Sequence, residues 1–182
     1  MHKILLIERS MITFISGTNR PENATLQIAH KAANFYSEKG LNTQVYSLCD
    51  LPREVAFSEL YGERSPAFEK TIRSMVADVD KFVFVLPEYN GGFPGILKLF
   101  LDAVEPHHWY GKKAALIGVS AGRSGNLRGL DHLTGVLNYL QVNVLHYKPS
   151  LSRIQQLPGN EVVLSDAYSE LLRLQAQLFT AF

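Results

Sequence analysis

The chain alternates between two kinds of hydrophobic pattern. Short runs rich in branched and aromatic residues stand at 11–17 (MITFISG), 42–48 (NTQVYSL), 81–86 (KFVFVL), 114–119 (AALIGV) and 142–147 (VNVLHY). Each is continuously or mostly apolar, the pattern of a strand covered on both faces. Between them lie segments with helical spacing. Thr25 to Glu38 puts Leu26, Ala29, Ala33 and Tyr36 on one face and is stopped by Gly40. Ser65-Pro66 opens a second helix running to about Val79, with proline in its favoured first position. A third runs from Pro94 to Val104 and is halted by Pro106, and a fourth spans about Asn126 to Leu140. A fifth starts at the capping pair Ser165-Asp166 and continues to Phe182.

Five strands alternating with five helices predict an α/β domain: a three-layer, doubly wound, parallel five-stranded sheet with helices on both faces. Right-handed crossovers leave few topologies, and the strand order adopted is 2-1-3-4-5. Ligands of such sheets bind beyond the carboxyl ends of the strands, at the switch point. That places a site around the ends of strands one, three and four.

Composition narrows the picture. A chain of 182 residues suits one domain with one sizeable core. A formal net charge of +1 calls for neither nucleic acid nor an anionic membrane. One cysteine, Cys49, allows no disulfide within the chain and no zinc cluster, which fits a reducing cytoplasm. No stretch is apolar for long enough to span a bilayer, and no His/Asp/Glu spacing suggests a metal site. The apolar run Ile4 to Ile7 is too short for a signal peptide and is followed by Glu8 and Arg9. Residues 1–10 are therefore read as an N-terminal extension and 11–182 as a single domain.

Three loops leave the chosen strand ends. The first, Gly17 to Thr25 (GTNRPENAT), opens a helix, so free backbone N–H groups, hydroxyls and the helix dipole suit a phosphate, with Arg20 as a forked cation. A bare helix cap by Asn23 or Thr25 explains the same residues equally well. The spacing matches neither G-x-x-x-x-G-K-[ST] nor G-x-G-x-x-G, which argues against an ATPase or a dinucleotide-binding Rossmann domain. The second loop, Pro87 to Gly95 (PEYNGGFPG), exposes an aromatic and an amide beside glycines that permit a close backbone approach to a flat ligand. The third, Ser120 to Gly129 (SAGRSGNLRG), is small and flexible. Its Arg123 and Arg128 suit either the phosphates of an incoming dinucleotide or, more simply, a solvated surface.

At these loops the chain resembles the NADPH-dependent FMN reductase family, which has a flavodoxin-like fold and includes flavin, quinone, azo-dye and chromate reductases. The family's first loop has the form G-S-x-R-x-x-S-x-[NT]. Here it reads G-T-N-R-P-E-N-A-T, with Thr18 and Asn23 in place of serines. The family's second motif, P-E-Y-N-x-x-x-P-G-x-L-K-N-x-x-D, stands here as P-E-Y-N-G-G-F-P-G-I-L-K-L-F-L-D, with Leu99 in place of Asn. The third loop is similar only loosely.

The resemblance implies that Thr18, Arg20, Asn23 and Thr25, with Ala24 in the same turn, hold the phosphate of FMN. It puts Pro87, Glu88, Tyr89, Asn90 and Gly91 along the isoalloxazine ring, and Ser120, Gly122, Arg123 and Gly125 near the ring's other side. It implies NADPH or NADH as hydride donor to flavin N5, then transfer to a small acceptor: a flavin, quinone, azo compound or metal oxyanion. Ping-pong kinetics follow, no side chain is named as catalytic, and a homodimer or homotetramer is expected. Two other readings stay open: a non-enzymatic electron carrier, and an apo regulatory module that has lost the flavin. Elsewhere, Cys49 is expected as a small buried residue at the end of strand two, and His107-His108-Trp109 at a surface or interface. The segment Leu51 to Arg64, with Phe57, Leu60 and Tyr61, is expected to shape an acceptor pocket or a subunit contact. Leu99 is expected to affect packing or assembly.

Overall fold

The computed structural model describes residues 11–157 and 159–182, so the expected extension, residues 1–10, lies outside the described residues. In chain order the elements are β1 (Ile12–Ser16), α1 (Ala24–Ser37), β2 (Thr43–Ser47), α2 (Ser58–Tyr61), α3 (Pro66–Ile72), β3 (Lys81–Pro87), α4 (Gly95–Ala103), β4 (Lys113–Val119), α5 (Leu127–Tyr139), β5 (Asn143–Val144), β6 (Ser150–Leu151) and α6 (Asp166–Ala181). The central strand explains the layers. Alternate residues of a strand face opposite sides. Phe82, Phe84 and Leu86 therefore enter one core with Phe68, Phe100 and Leu133 of α3, α4 and α5. Val83 and Val85 enter the other with Ile28 and Ala32 of α1 and Leu172 and Phe179 of α6. The sheet is parallel, in the order β2-β1-β3-β4-β5 read from the pattern.

The fifth strand differs from expectation. The run 142–147 yields only Asn143–Val144, paired to Lys113 and Ala114 of β4, and the chain returns to β4 at Ser150–Leu151, opposite Gly118 and Val119. Between the two pieces this chain advances further than β4 does, so the ladder cannot continue. Pro149 lacks an N–H for a ladder, although its carbonyl accepts from Gly118 N at 2.9 Å. The Leu116 carbonyl, inside the gap, is served instead from α6. Fully buried Gln175 donates its Nε2 to Leu116 O at 2.9 Å and to Tyr147 O at 3.4 Å. A sixth strand is thus the second half of an interrupted fifth one.

Helix ends follow the sequence closely. Asn23, Ser65 and Ser165 cap α1, α3 and α6 by accepting from Leu26 N, Phe68 N and Tyr168 N. The second helix stays α-helical only to Ile72 and then widens into a π turn, Arg73–Ala77. Lys112 donates to the carbonyls of Val76 and Ala77 at 2.5 and 2.9 Å, closing that end with a cation. Burial holds the Lys112 ammonium below its usual pKa, against the opposing pull of Asp80 and Asp78.

Two other expectations are corrected. Trp109 is fully buried rather than at a surface. The 3₁₀ turn Pro106–His108 swings it under the sheet, where its ring centroid lies 5.2 Å from Phe82 and 6.3 Å from Phe100. Cys49 is exposed rather than buried. β2 ends at Ser47, whose hydroxyl accepts from Cys49 N at 3.2 Å and starts a 3₁₀ turn that carries the thiol outward. Its Sγ meets Arg20 O at 3.4 Å. Leu99 is partly buried against the core.

Candidate functional site

The ends of β1, β3, β4 and β6 open onto one cavity of about 570 Å³, within the size range of sites for small molecules and cofactors. Its first wall is the turn into α1, through Arg20, Asn23, Ala24 and Thr25. The turn is held from inside. Asn23 Oδ1 accepts from Leu26 N at 2.7 Å and Ser16 Oγ at 3.3 Å, while its Nδ2 donates to Arg20 O at 2.7 Å. The side chain of Asn23 is therefore committed to the cap. The N–H groups of Ala24 and Thr25, in the first turn of a helix, have no intrahelical acceptor and remain for a ligand. Exposed Arg20 adds its charge at the same place.

The second wall is Pro87, Glu88 and Tyr89, where β3 ends. Beyond it Asn90 and Gly91 stand at φ 52° and 78°, and Tyr89 and Gly92 exchange backbone bonds of 3.0 and 3.1 Å. Two successive left-handed residues closed this way form a tight hairpin turn, for which Asn-Gly is the favoured pair. Asn90 and Gly91 make the tip of that turn and do not line the cavity. Thr18 also lies outside the lining, fully buried behind it, and its Oγ1 sits 2.8 Å from the Tyr89 hydroxyl. The same oxygen accepts from Arg20 N at 3.2 Å. One hydroxyl thus couples the first loop to the second.

The third wall is Val119, Ser120 and Ala121. Ser120 Oγ donates to Gly122 O at 3.0 Å and accepts from Gly125 N at 2.9 Å, winding the loop around itself. Gly125 is required where it stands. It lies at φ 58°, and a Cβ there would collide with Ser150 Oγ. Ser124 donates to the Glu88 carboxylate, joining the second and third loops. Buried Asn126 donates its Nδ2 to Leu86 O and Pro87 O at 3.2 and 3.0 Å, fixing α5 to the end of β3. Gly122, Arg123 and Gly125 do not line the cavity. Arg123 and Arg128 are exposed.

A fourth wall was not legible as a motif. Ile154, Gln155 and Gln156, just after β6, complete the cavity. Ile154 N donates to Ser120 O at 3.0 Å and Arg153 N to Gly122 O at 2.7 Å, so the segment is bound to the third loop by its backbone. The available signal was positional: a loop leaving the carboxyl end of the last strand borders the same crevice.

Phe57, Leu60 and Tyr61 do not line the cavity. Phe57 and Tyr61 are 73% and 87% exposed, on a segment anchored by Arg64, which pairs with Glu69 at 3.1 Å and Glu105 at 2.7 Å. Among the described residues no group of three or more His, Cys, Asp or Glu side chains could hold a metal ion.

Residues 10–155 match the family described as NADPH-dependent FMN reductase. A 2-hydroxy-1,4-benzoquinone reductase from Burkholderia sp is 32% identical over 144 residues, covering 77% of this chain and 76% of the relative. An NAD(P)H-dependent FMN reductase of Pseudomonas aeruginosa is 30% identical over 144 residues, covering 76% of each chain. In fold, the chain is similar to FerB, a flavoenzyme NAD(P)H:(acceptor) oxidoreductase from Paracoccus denitrificans. The TM-score is 0.76 at 19% identity, covering 94% of this chain and 96% of that one.

Proposed function

The chain belongs to the NADPH-dependent FMN reductase family, and on that premise we propose that its cavity holds FMN and serves transfer of reducing equivalents from NADPH or NADH to a small acceptor. The carrying observation is convergence. A helix N-terminus with free donors and an arginine, suited to a phosphate, shares one cavity with a glycine-rich turn suited to a flat ring. The donor set fits FMN: backbone N–H groups of Ala24 and Thr25 with Arg20 for the phosphate, and Pro87 to Tyr89 facing Ser120 and Ala121 for the ring.

FMN held there would supply two-electron hydride chemistry between a nicotinamide and the acceptor. The chain's own part is to bind and orient. Arg20 and the first turn of α1 anchor the phosphate, and the committed Asn23 keeps that turn in shape. The Thr18–Tyr89 contact sets the distance between the phosphate loop and the ring loop. The Glu88–Ser124 contact sets the spacing of the ring's two sides. No side chain is required as acid, base or nucleophile. Arg20, Tyr89 and Ala121 are exposed, so the cavity opens to solvent, and donor and acceptor use it in turn. Quinones and flavins are the acceptor class supported by the relatives' names.

We also propose a cytoplasmic homodimer or homotetramer. Exposed, unpaired Cys49 supports the reducing compartment. An apolar groove of about 480 Å³ between α4 and α5, with Leu101, Val136 and 87%-exposed Tyr139, supports the assembly.

The test is a flavin spectrum of the purified protein with added FMN, followed by anaerobic NADPH or NADH. Binding with bleaching is expected. Binding without bleaching by either nicotinamide favours an electron carrier, and no binding favours an apo module.

A further inference from the structure

Glu22 stands between Arg20 and Asn23, both of which line the cavity, yet Glu22 does not. Its backbone takes φ 51°, a left-handed conformation uncommon outside glycine. Its carboxylate is turned aside to accept from Asn160 Nδ2 at 2.6 Å, and its carbonyl accepts from Gln156 Nε2 at 2.7 Å. Asn160 is itself fixed. Its carbonyl accepts from Gln27 Nε2 at 2.5 Å, and Gln27 Oε1 accepts from Val162 N at 2.8 Å. Gln27 belongs to the first turns of α1, so both ends of this network rest on the phosphate loop and its helix. Independently, Gln155 and Gln156 of the same segment line the cavity.

Resting on the FMN reading above, we infer that Asn160 and Gln156 are positioning residues for the cofactor phosphate: they draw the Glu22 carboxylate off the anion site and fix the Glu22 backbone. The physics is charge against charge. A carboxylate free to swing in beside Arg20 would compete for the guanidinium and repel a phosphate carrying close to two negative charges. Hydrogen-bonded to Asn160, it does neither. The effect therefore depends on the ligand's phosphate and not on its ring.

The experiment measures dissociation constants for FMN and for riboflavin, which lacks the phosphate, by quenching of flavin fluorescence. Wild type, Asn160→Ala, Glu22→Gln and the double variant are compared, with thermal melting of each. Asn160→Ala is expected to weaken FMN by roughly tenfold while changing riboflavin by less than about twofold, as a partly screened charge contact predicts. The double variant is expected to recover FMN affinity to within about twofold of wild type, because a neutral amide repels nothing. Should Asn160→Ala fail to fold, Asn160→Asp sets two carboxylates against each other without removing volume, and the same rescue by Glu22→Gln is expected. Equal weakening of both ligands, no weakening, or no rescue overturns the inference. Wild type that binds neither ligand overturns the FMN reading itself.

Discussion

β4 has two neighbours of opposite construction. On one side β3 runs beside it without a break from Lys81 to Pro87, paired residue for residue. On the other side β5 and β6 touch it in two short pieces, with Gln175 in the gap. The continuous neighbour needs only a pattern, because two faces of alternating large apolar residues fix its register and its end. The interrupted neighbour needs a specific side chain from another element. Both border the same cavity: its second wall follows an unbroken ladder, and its fourth wall follows an interrupted one, held by β6 and by backbone bonds to Ser120 and Gly122, with Gln175 bridging the gap before it.

That contrast can be broken from either side. Phe84→Ala in β3 is expected to cost about 3–5 kcal/mol of stability by leaving a cavity in the core, read from denaturant midpoints. The folded fraction should still bind FMN with near wild-type affinity. A large fall in affinity would mean that β3 positions the site through its core packing and not its ladder. Gln175→Leu is expected to cost less, about 1–3 kcal/mol, since it leaves the buried Leu116 carbonyl without its donor. Here FMN affinity should drop as well, because β6 and the Ile154–Gln156 wall follow directly from the gap. Unchanged FMN binding would show that the backbone bonds to Ser120 and Gly122 hold that wall alone.

Two smaller effects sharpen the picture. Thr18→Val removes the hydroxyl shared by Tyr89 and Arg20 N and is expected to cost about 1 kcal/mol in stability. Its mark on FMN affinity should exceed its mark on the melting temperature, because it uncouples two walls without opening the core. The smallest effect is a pH dependence away from the cavity. Burial, then the neighbouring His107, holds the His108 pKa below the ordinary imidazole value of 6.5, against the opposing pull of Glu105. The unfolded chain therefore binds more protons than the folded one between the lowered value and 6.5, and His108 favours folding above that window. Its contribution is lost as pH falls through the folded value. In melting curves from pH 7.5 to 5, His108→Gln should show a slightly shallower loss than wild type. Identical slopes would remove His108 from the acid response.

The same contrast separates what sequence patterns reveal from what they hide. Lys81 to Leu86 reads as a strand at once, since Phe82 to Leu86 is apolar without a break, the mark of burial on both faces. The run 142–147, mostly apolar with Asn143 and His146 between, also reads as a strand, but its side chains say nothing of a ladder that fails between Val144 and Ser150. The signals for that failure are one proline and one glutamine in a helix far along the chain. In the site, the glycines, Arg20 and the Pro87–Asn90 stretch are distinctive residue types in a distinctive order. Gln155 and Gln156 are not, because exposed amides occur in any loop. Cys49 and Trp109 misled for a shared reason: each stands just past an element's end, where a 3₁₀ turn and not a periodic pattern decides which way the side chain points.

Gln175 also bears on the order in which a newly made chain becomes competent. Every residue of the three loops leaves the ribosome before α6 does. Until α6 docks, the Leu116 carbonyl lacks its donor and the edge beyond Val144 has nothing to bridge its gap. A nascent chain of which only residues up to 160 have emerged from the ribosome thus presents all the motif residues but an unfinished fourth wall, and is expected to retain FMN poorly.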